Sequence, residues 1–145
     1  MSSAPPPFAS PDETEALFYE CLQRGDIETL MSLWSDDDEI VCVHPGGRRL
    51  VGLAQIRTAF ELMFANGCLN IRPDHVRRVQ TLTTAVHSVL ETVGLGSGDK
   101  PRVGYVLATN VYVKTPQGWR MVCHHATPGT MGETQDTAQG PTTLH

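Results

Sequence analysis

The sequence predicts an α+β fold in which a curved antiparallel sheet wraps around helices packed on one of its faces. Up to Gly67, apolar residues recur mainly at helical spacing, whereas beyond it they alternate with polar residues. The resulting order is helix, helix, two short strands, helix and four long strands. Helices and strands segregated in this way along a chain are typical of α+β domains.

The three helices are predicted from their start and stop signals. Ser10 can cap the first helix, Pro11 suits its first position, and Gly25 follows its last turn. Asp26 can cap a second, short helix. A third helix is predicted from about Leu53 to Ala65, before an Asn-Gly pair.

The strands are predicted from alternation and from the turns between them. Two short strands, from Glu39 to His44 and from Arg48 to Val51, flank a Pro-Gly-Gly turn. The four long strands are predicted over Leu69–Thr81, Ala85–Leu95, Arg102–Lys114 and Trp119–Thr127. The segment from Val103 to Val113 is apolar on both faces, so a second layer is needed on the outer face.

The chain has 145 residues, the length of one domain, which we place at residues 10–128. Residues 1–9 contain three consecutive prolines and residues 129–145 are polar, so both are predicted to be disordered tails. The four cysteines lie far apart, which favours reduced thiols and a cytoplasmic location.

Charge and hydropathy argue against two classes of partner. The net charge is -5 and the basic residues form no long run, which disfavours nucleic acid. No apolar stretch approaches the roughly 20 residues needed to span a bilayer. The first ten residues lack the cationic start and apolar stretch of a signal peptide. We therefore expect neither a nucleic-acid-binding nor a membrane protein.

Two segments resemble the nuclear-transport-factor-two-like superfamily, particularly its SnoaL-like and ketosteroid-isomerase-like branch. They read GDIETLMSLWSDDDEIVCVHPGGRRLVGLAQIRTAFELMF and GWRMVCHHATP. The resemblance implies a cone-shaped, cystatin-like sheet wrapped around the three helices, with a pocket inside. It also implies a homodimer joined through the outer sheet face. The superfamily hosts enzymes, binding proteins and transport adaptors alike, so the fold does not fix the function.

The resemblance also implies catalytic positions. Ketosteroid isomerases carry an aspartate base before a proline at the end of the first strand, which corresponds to His44 here. Their buried acid corresponds to Asn110, which can donate a hydrogen bond to a carbonyl oxygen. Their helix-one tyrosine corresponds to Phe18, which lacks a hydroxyl. Tyr19 is adjacent, about 100° further round the helix.

The last hairpin is predicted to add a histidine to these residues. A four-residue loop would pair Asn110 with Cys123 and Ala108 with His125, so that Asn110, Cys123 and His125 share one face. The resemblance implies that this is the pocket face. His124 would then point toward the dimer interface, whereas a loop one residue longer exchanges the two histidines. The predicted substrate-binding residues are Phe18, Tyr19, Trp34, Ile56, Phe60, Phe64 and Cys123.

Two functions stay open on the sequence. In the first, His44, Asn110 and His125 catalyse proton transfer on a small apolar carbonyl compound, as in an isomerase, cyclase or dehydratase. In the second, the same pocket binds a small molecule, or the dimer binds a protein, without turnover. No cofactor and no metal are predicted, because a His44 and His125 pair supplies only two ligands. His75 and His87 are predicted to lie on the surface.

Overall fold

The computed structural model describes residues 8–95 and 102–130, which form three helices and one curved six-stranded sheet. The predicted tail residues 1–7 and 131–145 lie outside the described residues. The α+β prediction is confirmed. The elements are α1 Pro11–Arg24, α2 Ile27–Ser32, β1 Val41–Val43, β2 Leu50–Val51, α3 Gly52–Ala65, β3 Ile71–Gln80, β4 Thr84–Leu95, β5 Arg102–Thr115 and β6 Gly118–Pro128.

The helix ends follow the local sequence signals. The Ser10 side chain accepts a hydrogen bond from the Glu13 amide, and Gly25 ends α1 in the left-handed conformation at φ 68°. The Asp26 carboxylate accepts from the Thr29 amide at the start of α2. Within the described ranges, no helix is both long enough and apolar enough to cross a membrane.

The strands lie in the order β2-β1-β6-β5-β4-β3. All neighbouring pairs are antiparallel except β1 and β6, which run parallel, so the expectation of a wholly antiparallel sheet is wrong at this one pair. The helices cover the inner face of the sheet. Alternation in β4 therefore buries Ala85, His87, Val89 and Glu91.

A β-bulge in the last hairpin changes the predicted pairing. Lys114 faces Trp119 as predicted, but the register shifts between Val111 and Tyr112. Beyond the shift Asn110 faces His124, not Cys123, because β6 contains one additional residue there. A one-residue shift moves every later side chain to the opposite face of the strand.

Phe8 lies in the predicted N-terminal tail but packs on the sheet. Its carbonyl accepts a hydrogen bond from the Trp119 amide at 2.8 Å. The Arg120 guanidinium lies 3.6 Å from the centroid of its ring, a cation–π contact. The packed domain therefore includes Phe8, two residues before the predicted boundary at residue 10.

Candidate functional site

A cavity of about 60 Å³ lies between the helices and the inner face of the sheet. It is bounded by α1, by α3 and the segment that follows it, by the turn after β1, and by strands β3 to β6. Most of the lining is apolar, and the polar groups come from three side chains. The lining residues are Leu22, His44, Pro45, Phe60, Met63, Leu69, Ile71, Glu91, Val106, His124 and Ala126.

Glu91 is the carboxyl group of the cavity. It projects from the inner face of β4 and is only 3% exposed. Its Oε2 accepts a hydrogen bond of 2.6 Å from the Tyr19 hydroxyl. Burial raises the pKa of Glu91 to about 7, Glu15 contributes in the same direction, and the Tyr19 hydrogen bond opposes the increase. Glu91 can therefore gain or lose a proton near neutral pH.

His124 is the inner of the two adjacent histidines in β6. Its Nδ1 lies 2.6 Å from Asn110 Oδ1, and its ring packs 5.0 Å from the ring of Phe18. Burial, with smaller contributions from His44 and His125, lowers the pKa of His124 to about 3. The ring is therefore neutral near pH 7.

His44 is placed at the cavity by the turn after β1. Its ring lies edge-on to Phe60 at 5.0 Å and 6.2 Å from the ring of His124. Burial lowers its pKa, so this ring too is neutral near pH 7. Cys42 Sγ lies 3.7 Å from His44 Nε2, and burial raises the pKa of Cys42 to about 12. Cys42 is consequently a thiol rather than a thiolate nucleophile.

A second polar cluster lies next to the cavity and is centred on Glu15 of α1. Glu15 Oε2 accepts hydrogen bonds from the Tyr112 hydroxyl at 2.6 Å and from Asn110 Nδ2 at 3.2 Å. His87 Nδ1 lies 2.9 Å from the same oxygen. All four residues are buried. We call Glu15, His87, Asn110 and Tyr112 the inner network.

The three predicted catalytic residues do not all meet at the cavity. His44 lines it, whereas Asn110 does not, and the amide nitrogen of Asn110 donates to Glu15 and to the Tyr19 hydroxyl. The prediction that His125 faces the pocket is wrong, because the bulge in β6 turns it outward, where it is exposed. His124 takes the inner position, contrary to the prediction that it points to the outer face. Cys123 lies with His125 on the outer face.

The predicted walls are also only partly at the cavity. Phe60 lines it. Phe18 packs against Phe60 and His124, and Phe64 packs against Phe60. Trp34 and Ile56 are buried in the core, where Trp34 bridges to Met121. Tyr19 reaches the site only through its hydroxyl, which is bonded to Glu91.

The two central carboxyl groups, Glu15 and Glu91, are absent from the sequence prediction, although the sequence carries a signal for each. Glu15 lies three and seven residues before Phe18 and Leu22, on the apolar stripe of α1. Glu91 shares the parity of Ala85 and Val89 in β4. The prediction that His87 is a surface residue is wrong, because His87 shares the parity of Ala85 and Val89, lies on the inner face of β4 and is fully buried.

No group of three His, Cys, Asp or Glu side chains within residues 8–95 and 102–130 could hold a metal ion. The polar groups of the cavity offer hydrogen bonds and proton transfer, because they comprise one carboxyl group with a pKa of about 7 and two neutral imidazoles.

Comparison with known proteins agrees with this architecture. Residues 13–130 match the SnoaL-like domain family. A search of curated proteins finds no significant match. A proposed calcium/calmodulin-dependent protein kinase type II association domain from Thiobacillus denitrificans is 32% identical, with a TM-score of 0.78 over 87% of this chain and 100% of that one.

Two further structures are similar. A proposed dehydratase of the NTF2-like family from Streptomyces avermitilis is 32% identical, with a TM-score of 0.71 over 80% of this chain and 91% of that one. A protein with a cystatin-like fold from Caulobacter vibrioides has a TM-score of 0.71 at 12% identity, over 89% of this chain and 95% of that one. The latter similarity concerns the fold alone.

Proposed function

This chain belongs to the SnoaL-like family of the NTF2-like superfamily, and we propose that it is an acid–base enzyme that transfers a proton on a small carbonyl compound. The observation that carries the proposal is the convergence of Glu91, His44 and His124 on one cavity with apolar walls. A few polar groups in an apolar enclosure are the usual composition of a small-molecule site.

Glu91 is the proposed proton carrier. A general acid or base works best when its pKa lies near the working pH, and that of Glu91 is about 7. The ionised carboxylate would remove a proton from the carbon next to a carbonyl group. The protonated acid would return that proton to another carbon, giving an isomerase, or to a departing hydroxyl, giving a dehydratase. The neutral ring of His44 would donate a hydrogen bond to the carbonyl oxygen of the substrate, and that of His124 would contact a further polar group of the substrate.

The size of the cavity restricts the substrate. Pockets for drug-sized ligands usually measure roughly 300 Å³ or more, whereas this cavity measures about 60 Å³. A steroid or polyketide skeleton does not fit it without rearrangement of the lining. The proposed substrate is therefore a carbonyl compound of only a few non-hydrogen atoms.

Proton exchange at carbon tests this function. The chain is incubated in D₂O with small ketones, including hydroxyacetone, and loss of the proton signals next to the carbonyl is followed by NMR. We expect exchange above the buffer rate. Glu91→Gln keeps an acceptor for the Tyr19 hydroxyl but cannot carry the proton, so exchange should fall by roughly 10²- to 10⁴-fold.

Glu39→Gln is the matched control, because Glu39 is exposed and lies in the turn before β1. This variant should exchange at the wild-type rate. Equal rates for wild type and Glu91→Gln, or no exchange with any ketone of the panel, would contradict the acid–base function.

A second candidate function, assembly into a homo-oligomer, is supported by the Thiobacillus denitrificans protein, which is described as an association domain and is covered over its whole length. The outer face of the sheet offers a surface for it. Val86 and Val111 pair there on neighbouring strands, and Val86 is 38% exposed. We expect such an interface to include Val111 and Val113, with His125 in place of the predicted His124.

Sedimentation velocity tests the assembly. We expect a dimer or larger species at micromolar concentration, and Val111→Lys should dissociate it by placing a charge in the interface. Leu62→Lys, on the exposed side of α3, is the control and should leave the sedimentation coefficient unchanged. A monomeric wild-type chain at this concentration would contradict assembly.

A further inference from the structure

Asn110 connects the inner network to the cavity. The residue is fully buried, and both ends of its side-chain amide have partners. Its Nδ2 lies 3.2 Å from Glu15 Oε2 and 3.1 Å from the Tyr19 oxygen. Its Oδ1 lies 2.6 Å from Nδ1 of His124. The partners at each end therefore decide which way the amide is oriented.

The two oxygens at the nitrogen end both act as acceptors. The Tyr19 hydroxyl donates its proton to Glu91 Oε2 at 2.6 Å, which leaves its oxygen as an acceptor toward Asn110. Glu15 Oε2 likewise accepts from the Tyr112 hydroxyl. An amide oxygen turned toward these two atoms would face two acceptors and find no proton. The NH₂ group must lie at this end and the carbonyl oxygen at the other.

The orientation of Asn110 then determines the tautomer of His124. Burial keeps the His124 ring neutral by lowering its pKa to about 3, so the ring carries a single N–H. A carbonyl oxygen 2.6 Å from Nδ1 requires that this proton sit on Nδ1. The lone pair of the ring is consequently on Nε2.

We propose that Asn110, oriented by Glu15 and Tyr19, is a positioning residue that fixes His124 as the Nδ1–H tautomer, so that the substrate must present a hydroxyl group to Nε2. The ligand part rests on the proposed function, since His124 lines the same cavity. Partners that fix a histidine tautomer in this way are well known around metal-bound imidazoles, where their loss costs roughly 10- to 100-fold.

The lining also specifies the charge of the ligand. Among the described residues that line the cavity there is no lysine or arginine to pair with an anion. Glu91 adds negative charge when ionised, which opposes a carboxylate ligand. A small uncharged hydroxy-carbonyl compound satisfies both conditions: its hydroxyl donates to His124 and it brings no charge into a buried site.

The tautomer is measured directly by long-range ¹H–¹⁵N NMR of the full chain labelled with ¹⁵N-histidine at pH 7. In the wild type, His124 should show a protonated Nδ1 and a bare Nε2. Asn110→Leu removes the acceptor at Nδ1 and should populate both tautomers. The amide spectrum of this variant reports whether it is folded.

Either of two results would overturn the tautomer assignment. The first is a His124 ring protonated at Nε2 in the wild type, a result that requires no variant. The second is a folded Asn110→Leu protein in which His124 is protonated at Nδ1 alone. Neither result depends on turnover, so failure of this assignment and failure of the proposed enzyme are distinguishable.

Titration with hydroxyacetone and, separately, with lactate tests the ligand class on the same resonance. Hydroxyacetone should shift His124 Nε2, and lactate at equal concentration should shift it at least 10-fold less. An unshifted Nε2 with hydroxyacetone, or a larger shift with lactate, would show that the ligand class is wrong, whatever the tautomer.

Discussion

The cavity and the inner network are built from the same kinds of side chain but differ in what surrounds them. Each contains a buried carboxyl group, a tyrosine hydroxyl and an imidazole. In the inner network, Glu15 Oε2 is in contact with three partners, from His87, Asn110 and Tyr112. At the cavity, Glu91 Oε2 has the Tyr19 hydroxyl, and the side chain adjoins open space.

This difference separates a structural role from a chemical one. A buried carboxylate whose oxygen is shared by several donors stabilises the fold, because those donors would otherwise be buried without partners. A buried carboxyl group beside empty space has room for a substrate, and its raised pKa lets it exchange a proton near pH 7. The free space, rather than the type of residue, marks the candidate site.

Loss of the Glu15 carboxylate should have the largest effect. Glu15→Ala leaves His87, Asn110 and Tyr112 buried without their common acceptor, so we expect a loss of about 3–5 kcal/mol in the free energy of unfolding. Urea denaturation measures it. Glu20→Ala, on the exposed side of the same helix, should cost less than about 0.5 kcal/mol. If Glu15→Ala were as stable as that control, the inner network would not be structural.

The pH dependence of stability should distinguish the cavity from the network. The folded pKa of Glu91, about 7, lies above its ordinary value of 4.5. Between these values the folded chain binds more protons than the unfolded chain, so stability falls as pH rises. The total loss in the free energy of unfolding over this range is on the order of 3 kcal/mol. It is measured as the difference in the free energy of unfolding between the wild type and Glu91→Gln.

His124 should contribute with the opposite sign. Its folded pKa, about 3, lies below its ordinary 6.5, so its contribution rises with pH between these values. The contributions of Glu91 and His124 to stability oppose each other in the pH range where both change. Each contribution is therefore measured as the difference between the wild type and that residue's own variant, which is His124→Gln for the histidine. A wild-type minus Glu91→Gln difference that is constant from pH 4.5 to 7 would contradict the raised pKa.

Tyr19 connects the two regions, and removal of its hydroxyl should have the smallest effect among these substitutions. Its hydrogen bond lowers the pKa of Glu91, so Tyr19→Phe should move the Glu91 titration to higher pH. The loss of stability should be about 1 kcal/mol. Carbon-13 NMR of the labelled carboxyl group follows the titration.

Tyr112→Phe is the matched control, because its hydroxyl bonds Glu15 and not Glu91. It should cost a similar free energy without moving the Glu91 titration. An equal shift in both variants would mean that the cavity and the inner network titrate as one unit.

Local signals in the sequence determined the helices and the succession of strands. The cap residues Ser10, Gly25 and Asp26 act on backbone groups within four residues of themselves, so they can be recognised without knowledge of the fold. Alternation likewise predicted the four long strands. The residues of the two quoted segments were sufficient to identify the family. His44, predicted to face the pocket, lines the cavity, and its catalytic role stays a prediction.

The tertiary structure decided the register of the last hairpin and therefore which histidine faces inward. The Met121 amide donates to the Leu33 carbonyl, and the Met121 carbonyl accepts from the Ser35 amide. These bonds hold β6 against the segment after α2 at the point where its pairing with β5 shifts. Counting residues back from the turn cannot detect contacts with a distant segment, so it assigned the inner position to His125.

Tertiary packing also decided which carboxyl group adjoins the cavity. Glu15 and Glu91 both occupy positions that the sequence pattern assigns to buried faces. Only the packed structure brings three hydrogen-bonding partners to Glu15 and open space to Glu91. The periodicity of a sequence specifies the direction of a side chain, whereas its chemistry depends on neighbours supplied by distant parts of the chain.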